Sequence, residues 1–125
     1  MKLFKSKIIY CNHLPSPRIL GENSIVIYDK KLSKINPTFR HWTNKFKFKI
    51  SVNAGENLKS ISSYNKYINQ IHKMIGEMPA SKINIVAVGG GSVGDFCGFI
   101  ASTYKRGVKL THIPSTWLAA IDSAH

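Results

Sequence analysis

The chain has 125 residues, the size of a single domain, and 43% of them are hydrophobic, which is enough for a packed core. No uninterrupted apolar run approaches the ~18 residues that a membrane span needs, and the charged amino terminus lacks the long apolar stretch of a signal peptide. Its 18 Lys and Arg residues against 6 Asp and Glu residues give a formal net charge of +12, which attracts anions.

The basic residues are scattered along the chain. Nucleic-acid-binding domains usually concentrate such charge on one face or one helix, so we do not expect a nucleic-acid partner. An anionic cofactor and substrate, or pairing with a more acidic second half, accounts for the charge equally well. Cys11 and Cys97 lie far apart and show neither a disulfide framework nor zinc-knuckle spacing, which favours a reduced, cytoplasmic protein. Because no apolar run could span a membrane, we expect no membrane partner.

The first half of the sequence predicts short strands joined by turns. Residues 24–28 and, nearer the amino terminus, residues 7–11 are strand candidates, with prolines and a glycine between them. A short helix is expected over residues 29–36, where the following proline ends it. Over residues 45–52 hydrophobic and polar residues alternate, which is the pattern of a half-buried strand.

The second half predicts helices alternating with strands. A hydrophobic residue recurs every three or four positions over residues 58–78, which indicates one long amphipathic helix. The members of this stripe are Leu58, Ile61, Tyr64, Ile68, Ile71, Ile75 and Met78. Residues 83–88 read as a strand buried on both faces, followed by a helix over 93–103, a strand over 108–113 and a short helix over 117–121. This order predicts an α/β fold with a parallel sheet and right-handed crossovers.

A triple glycine stands between a predicted strand and a predicted helix, in Ile-Val-Ala-Val-Gly-Gly-Gly-Ser-Val-Gly-Asp at residues 85–95. Glycines let the backbone approach a ligand closely, and a helix start offers unpaired N–H groups that suit a pyrophosphate, although such a turn can also serve only as a tight corner. Ligands gather at the carboxyl ends of parallel strands, so the loops at residues 29–31, 89–92 and 114–116 are expected to meet. Asp29 could accept the hydroxyl hydrogens of a ribose or simply cap a helix.

Three segments of the chain resemble the 3-dehydroquinate synthase family. They are Gly-Glu-Asn-Leu-Lys-Ser at residues 55–60, Gly-Gly-Gly-Ser-Val-Gly-Asp-Phe-Cys-Gly-Phe-Ile-Ala-Ser-Thr-Tyr-Lys-Arg-Gly-Val at residues 89–108, and Ile-Pro-Ser-Thr-Trp-Leu-Ala-Ala-Ile-Asp-Ser at residues 113–123. The resemblance is clearest over residues 55–123. It implies that residues 1–125 form the Rossmann-like N-terminal NAD-binding domain of a metal-dependent sugar-phosphate cyclase, without the helical metal-binding domain that follows in the family.

The resemblance also implies an activity and a set of contacts. The family's enzymes oxidise a hydroxyl of a seven-carbon sugar acid phosphate with NAD, eliminate phosphate, reduce the carbonyl again and close a ring in the shikimate pathway. Positions that match the family's NAD contacts are Asp29, Glu56, Lys59, Gly90, Gly91, Ser92, Asp95, Ser115, Thr116, Leu118, Asp122 and Ser123. Asp122 also matches a substrate contact, and Arg106 matches an arginine that reaches across a homodimer interface to the substrate phosphate.

The resemblance assigns no catalytic residue and no metal ligand to this chain. The family's catalytic lysine, in a Gly-Gly-Lys segment, follows the region matched by residues 113–123, and its Glu-His-His set for zinc or cobalt belongs to the helical domain, so the chain alone is expected to be inactive. The chain also departs from the family at Ser92, usually apolar, at Lys31, where an asparagine-like adenosine contact is expected, and at Trp117, usually a smaller aliphatic residue.

Other interpretations stay open at this stage. A related cyclase that makes a valiolone or deoxyinosose ring, or a non-catalytic nucleotide-binding remnant, would share the cofactor half, whereas the segments at residues 94–99 and 104–107 argue against a glycerol or iron-type alcohol dehydrogenase. Glu56 and Lys59 could form an ordinary solvated ion pair, and Asp95 could merely cap its helix.

Overall fold

The computed structural model describes residues 13–116, so the strand predicted at residues 7–11 and the helix predicted at residues 117–121 lie outside it. Within the described range the strands form a four-stranded sheet in the order β2-β1-β3-β4. They are β1 (Ser24–Asp29), β2 (Phe48–Val52), β3 (Asn84–Gly89) and β4 (Lys109–Pro114). Every neighbouring pair is parallel, which confirms the predicted α/β fold with a parallel sheet.

Helices connect successive strands of this sheet. The α-helices are α1 (Pro17–Leu20), α2 (Lys30–Ile35), α3 (Pro37–Thr43), α4 (Ile61–Ile75) and α5 (Gly91–Thr103). Short 3₁₀ helices occupy Glu56–Lys59, Ala80–Lys82 and Tyr104–Arg106. None of the helices in the described range is long and apolar enough to cross a membrane.

The sheet separates two hydrophobic clusters. Side chains alternate along a strand, so Ile25 and Ile27 of β1 pack toward α4 and α5, while Val26 and Tyr28 pack toward Phe39 of α3. Because both faces of β1 and β3 are covered, these strands are almost entirely buried, and this explains their continuous apolar sequences.

The helix predicted over residues 58–78 is two elements in the structure. Ser60 separates them, because its hydroxyl accepts the N–H of Ser63 at 3.1 Å and caps the start of α4. Gly76, with φ of 56°, ends α4. Consequently Leu58, which belongs to the 3₁₀ helix, is buried, whereas Ile61, another member of the predicted stripe, is 79% exposed.

Helix α3 is absent from the sequence-based prediction. The sequence predicts that Pro37 ends a helix, and α2 does end just before it, but Pro37 is also the first residue of α3. Asn36 caps the new helix by accepting the N–H of Phe39 at 3.0 Å. A proline is well tolerated at this position, because the first helical N–H has no partner within the helix. The strand predicted over residues 45–52 is correspondingly shorter and begins at Phe48.

We expect Cys97 to react with iodoacetamide only after unfolding. Its side chain is completely buried between α5 and the sheet, and burial raises the pKa of the thiol to about 12, so the reactive thiolate is scarce at neutral pH. The measurement compares the alkylation rate of a Cys11→Ser variant in buffer and in denaturant. A rate in buffer equal to that of a small-molecule thiol would contradict the packing of α5.

Candidate functional site

The carboxyl ends of β1, β3 and β4 meet at one edge of the sheet, as the sequence predicts. The register pairs Gly89 of β3 with Pro114 of β4. A Cβ atom built on Gly89 would lie 3.5 Å from Cβ of Asp29, and one built on Gly90 would lie 4.0 Å from Oγ of Ser115. The structure therefore brings Asp29, the glycine turn and Ser115 together.

A hydrogen bond attaches the segment that follows β2 to the same turn. The N–H of Gly55 donates to Oγ of Ser92 at 3.2 Å. This bond places the 3₁₀ helix that carries Glu56 and Lys59 beside the start of α5. Ser92, where the family usually has an apolar residue, thus joins the segment after β2 to the start of α5. Its own O–H proton remains available to an acceptor.

The first amides of α5 are the donors of this site. Gly94 donates to the carbonyl of Gly90 at 3.1 Å, so the N–H groups of residues 91–93 precede the first bond of the helical ladder. Gly90, as the N-cap residue, has no side chain to accept from them, and the first turn contains no acidic residue. The positive end of this 13-residue helix therefore faces outward beside the carboxyl edge of the sheet.

The glycines of this region fall into two groups. Gly89 has φ of 154°, and a Cβ there would lie only 3.0 Å from Cγ2 of Val93, so both backbone and packing require a glycine. Gly94 lies against the ring of His112, and a Cβ built on Gly94 would lie 2.7 Å from Cε1 of that ring. In contrast, a Cβ on Gly90 or Gly91 would meet no atom closer than 4.0 Å apart from those of adjacent residues and the backbone of α5 itself. The fold itself does not need glycine at these two positions.

Asp29 has the capping role that the sequence left open. Its Oδ1 accepts the N–H of Lys31 at 3.0 Å and caps α2. The side chain stands at the end of β1 and is only partly buried. Capping occupies one carboxylate oxygen with one N–H, which is compatible with a second acceptor role for the other oxygen.

Glu56 and Lys59 form an ion pair with 3.5 Å between Nζ and Oε1. Their side chains are 88% and 58% exposed, so the pair contributes little stability. Asp95, also exposed, lines the same groove as Lys59. The groove has a volume of about 480 Å³, and its apolar lining comes from Leu58, Ile61, Tyr64, Phe96 and Phe99. The sequence does not predict this groove, because Ile61 falls in the apolar stripe of the predicted helix.

Arg106 lies away from the other predicted site residues. It follows α5 and precedes β4, so it stands at the amino edge of the sheet. Because the 13 residues of α5 separate it from the glycine turn, the distance between the two is roughly 20 Å. Lys105 and Arg106 both have left-handed backbones, with φ of 46° and 69°. Nζ of Lys105 donates to the carbonyls of Gly76 at 3.0 Å and Met78 at 2.8 Å. Arg106 is exposed and forms no ion pair with any residue in the described range.

Replacing Arg106 with glycine is expected to stabilise the domain by about 1 kcal/mol, because a left-handed backbone is strained for any residue with a Cβ. The matched variant is Lys105→Gly, which relieves the same kind of strain but removes two hydrogen bonds and should lower the melting temperature. Thermal unfolding monitored by circular dichroism measures both. A lower melting temperature for Arg106→Gly would show that the arginine stabilises this turn.

The remaining predicted contacts are only partly described. Ser115 and Thr116 directly follow β4 at the carboxyl edge, and Ser115 is partly buried while Thr116 is exposed. Leu118, Asp122 and Ser123 lie outside the described residues, as does Trp117. Across residues 13–116 no three His, Cys, Asp or Glu side chains are grouped so that they could hold a metal ion.

Comparison with known proteins gives matches that cover most of the chain. A family model described as the N-terminal part of 3-dehydroquinate synthase matches residues 49–125. The 3-dehydroquinate synthase of Thermoplasma volcanium is 38% identical over 117 residues, which are 93% of this chain and 25% of that protein. The chain thus spans about a quarter of the length of this curated relative.

Solved structures of two sugar-phosphate cyclases are similar to this chain. A 2-deoxy-scyllo-inosose synthase complexed with carbaglucose-6-phosphate, NAD⁺ and Co²⁺ is 27% identical, with a TM-score of 0.58 over 78% of this chain and 27% of that one. A 2-epi-5-epi-valiolone synthase from Streptomyces hygroscopicus, with NAD⁺ and Zn²⁺ bound, is 17% identical, with a TM-score of 0.64 over 92% of this chain and 35% of that one. The second likeness concerns the fold alone.

Proposed function

This chain belongs to the 3-dehydroquinate synthase family, and from that membership we propose that the carboxyl edge of its sheet binds NAD for a 3-dehydroquinate synthase. The observation that carries the proposal is the open space at Gly90 and Gly91, where neither backbone conformation nor protein packing requires glycine. A ligand that approaches the main chain closely does require it. The space lies at the amino end of α5, whose amides and dipole suit a diphosphate.

Each described residue of the site has a proposed part in holding the dinucleotide. The N–H groups at the start of α5 and the hydroxyl of Ser92 donate to the diphosphate oxygens. Asp29 and Asp95 accept ribose hydroxyls, and Glu56 does the same from the 3₁₀ helix. Lys59 adds a cation for the phosphates, and Ser115 and Thr116 donate from the end of β4. We extend the proposal to Leu118, Asp122 and Ser123 on the resemblance alone.

The bound nicotinamide would supply a reversible hydride acceptor. From the same family membership we propose a lyase reaction on a seven-carbon sugar acid phosphate. We also propose a homodimer and a divalent metal that is held by residues outside 13–116. Arg106 would then serve a phosphate in a second copy of the chain, because it stands at the edge opposite to the glycine turn. Its planar guanidinium matches phosphate oxygens, and no carboxylate in the described range competes for it.

Another substrate within the same superfamily is the second candidate. A 2-deoxy-scyllo-inosose synthase shares this fold at 27% identity, and its complex contains carbaglucose-6-phosphate. The higher identity, 38%, to a 3-dehydroquinate synthase favours the seven-carbon acid. Both candidates need the same cofactor site, so a test of NAD binding addresses what they share.

A titration with NAD followed by amide NMR of the labelled chain tests the proposal. The largest shifts are expected at the amides of residues 89–93 and at Lys31, beside Asp29. Tripolyphosphate at equal charge is the control for the formal net charge of +12, which attracts any polyanion. If NAD instead gave only small shifts spread over surface lysines, as nonspecific attraction to the net charge would, the proposal would fail. Strong binding of duplex DNA with steep salt dependence would favour a nucleic-acid role.

A further inference from the structure

His112 lies beneath the glycine turn on β4. Its Nε2 is 3.3 Å from the carbonyl oxygen of Gly89. Because a carbonyl oxygen can only accept, Nε2 must carry the proton of this hydrogen bond. The ring rests on Gly94 of α5, where an added Cβ would lie 2.7 Å from Cε1. His112 is exposed on the edge strand β4, so its imidazole lies over Gly94 at the surface and bonds to the last carbonyl of β3.

This hydrogen bond acts on the first peptide group of the turn. In a trans peptide the N–H points opposite to the C=O, so a restraint on the carbonyl of Gly89 also orients the N–H of Gly90. Glycine on both sides of this peptide group leaves it free to rotate at low steric cost. The next hydrogen bond of the turn, from Gly94 to the carbonyl of Gly90, does not restrain that peptide group.

We propose that His112 is a positioning residue that orients the Gly89–Gly90 peptide group for a diphosphate, and that Gly94 is glycine to admit its ring. The proposal rests on the proposed NAD site and adds to it a residue that does not touch the ligand. It also accounts for Gly94, which has a helical backbone that alanine would adopt without strain.

Two variants of His112 separate the hydrogen bond from the packing. His112→Phe keeps a ring against Gly94 but has no donor, and His112→Gln keeps an N–H donor of similar reach. Loss of one hydrogen bond weakens binding by about fivefold, so the dissociation constant for NAD should rise by about that factor in the Phe variant and stay within about twofold in the Gln variant. Equal weakening in both variants would overturn the proposal.

A double-mutant cycle gives a second test. Gly94→Ala should displace the imidazole and weaken NAD binding by about the same factor as His112→Phe. In a His112→Ala background the same change at Gly94 should have no further effect, since no ring remains to be displaced. Additive effects of Gly94→Ala and His112→Ala would show that the two residues act separately and would contradict the proposal.

One measurement without ligand keeps this proposal distinct from the NAD site. The carbonyl ¹³C shift of Gly89 should move in His112→Phe but not in His112→Gln, and relaxation dispersion at the Gly90 amide should appear only in the Phe variant. If the wild-type chain showed no NAD binding at the turn, the proposed function would fail, while these signals would still decide whether His112 orients the peptide group. Identical signals in all three proteins would overturn the positioning role.

Discussion

Gly91→Ala is expected to weaken NAD binding by about ten- to a hundredfold while leaving the fold as stable as before or more so. The added methyl group would occupy the open space at the start of α5, and overpacking of a closely fitted contact costs about 1–3 kcal/mol. Apart from the adjacent residues and the backbone of α5 itself, no protein atom lies within 4 Å of that methyl group, and alanine is the better helix former, so stability should not fall. Calorimetric titration with NAD and chemical denaturation measure the two quantities on the same sample.

Gly98→Ala is the matched control for this experiment. It makes the same chemical change in the same helix, and its Cβ would lie 3.8 Å from Cδ2 of Leu110, an ordinary contact. It should leave NAD affinity unchanged. Gly90→Val should behave like Gly91→Ala, since φ of −79° and ψ of −165° at Gly90 suit any residue. Unchanged NAD affinity in both Gly91→Ala and Gly90→Val would show that the diphosphate does not bind at this turn.

The strand ends of this site were predictable because one rule places them. In a parallel sheet all carboxyl ends lie at one edge, so loops that are distant in sequence meet there without any knowledge of side-chain contacts. Asp29, Gly90 and Ser115 are accordingly close together in the structure. The same rule separates Arg106 from them, because it precedes a strand and so stands at the opposite edge.

The contacts that complete the site were not predictable in this way. The bond between Gly55 and Ser92 joins residues 37 apart, and the bond between His112 and Gly89 joins residues 23 apart. Each depends on where side chains lie after the sheet has formed, and local pattern contains no information about that. The sequence around His112 contains no motif that marks this residue, and its partner is a backbone carbonyl, which every residue has.

Helix α3 shows how a correct local rule can give an incomplete result. The residue before a proline tends to leave the helical conformation, and α2 does end there. A proline also begins helices well, and the hydrophobic spacing of Phe39 and Trp42 fits the new helix. These two side chains belong to the second cluster, which covers β1 and β3.

Phe39→Ala is therefore expected to have the largest effect on stability, a loss of about 3–5 kcal/mol. Phe39 is completely buried, and its ring centroid lies 5.6 Å from that of Tyr28 and 5.7 Å from that of Trp42. A domain of this size is stable by roughly 5–15 kcal/mol, so such a loss would leave a substantial unfolded fraction at physiological temperature. Urea denaturation followed by Trp fluorescence measures it.

Phe99→Ala is the control for Phe39→Ala, because it removes the same atoms from a side chain that is 55% exposed. Its ring contacts that of Tyr64 at 5.0 Å between centroids, so the expected loss is only about 1 kcal/mol. Both variants should have the same dependence of unfolding free energy on urea concentration, since they unfold the same domain. If Phe39→Ala lost as little unfolding free energy as Phe99→Ala, α3 would not cover the sheet. The second cluster would then have no part in holding β1 and β3 in place beneath the glycine turn.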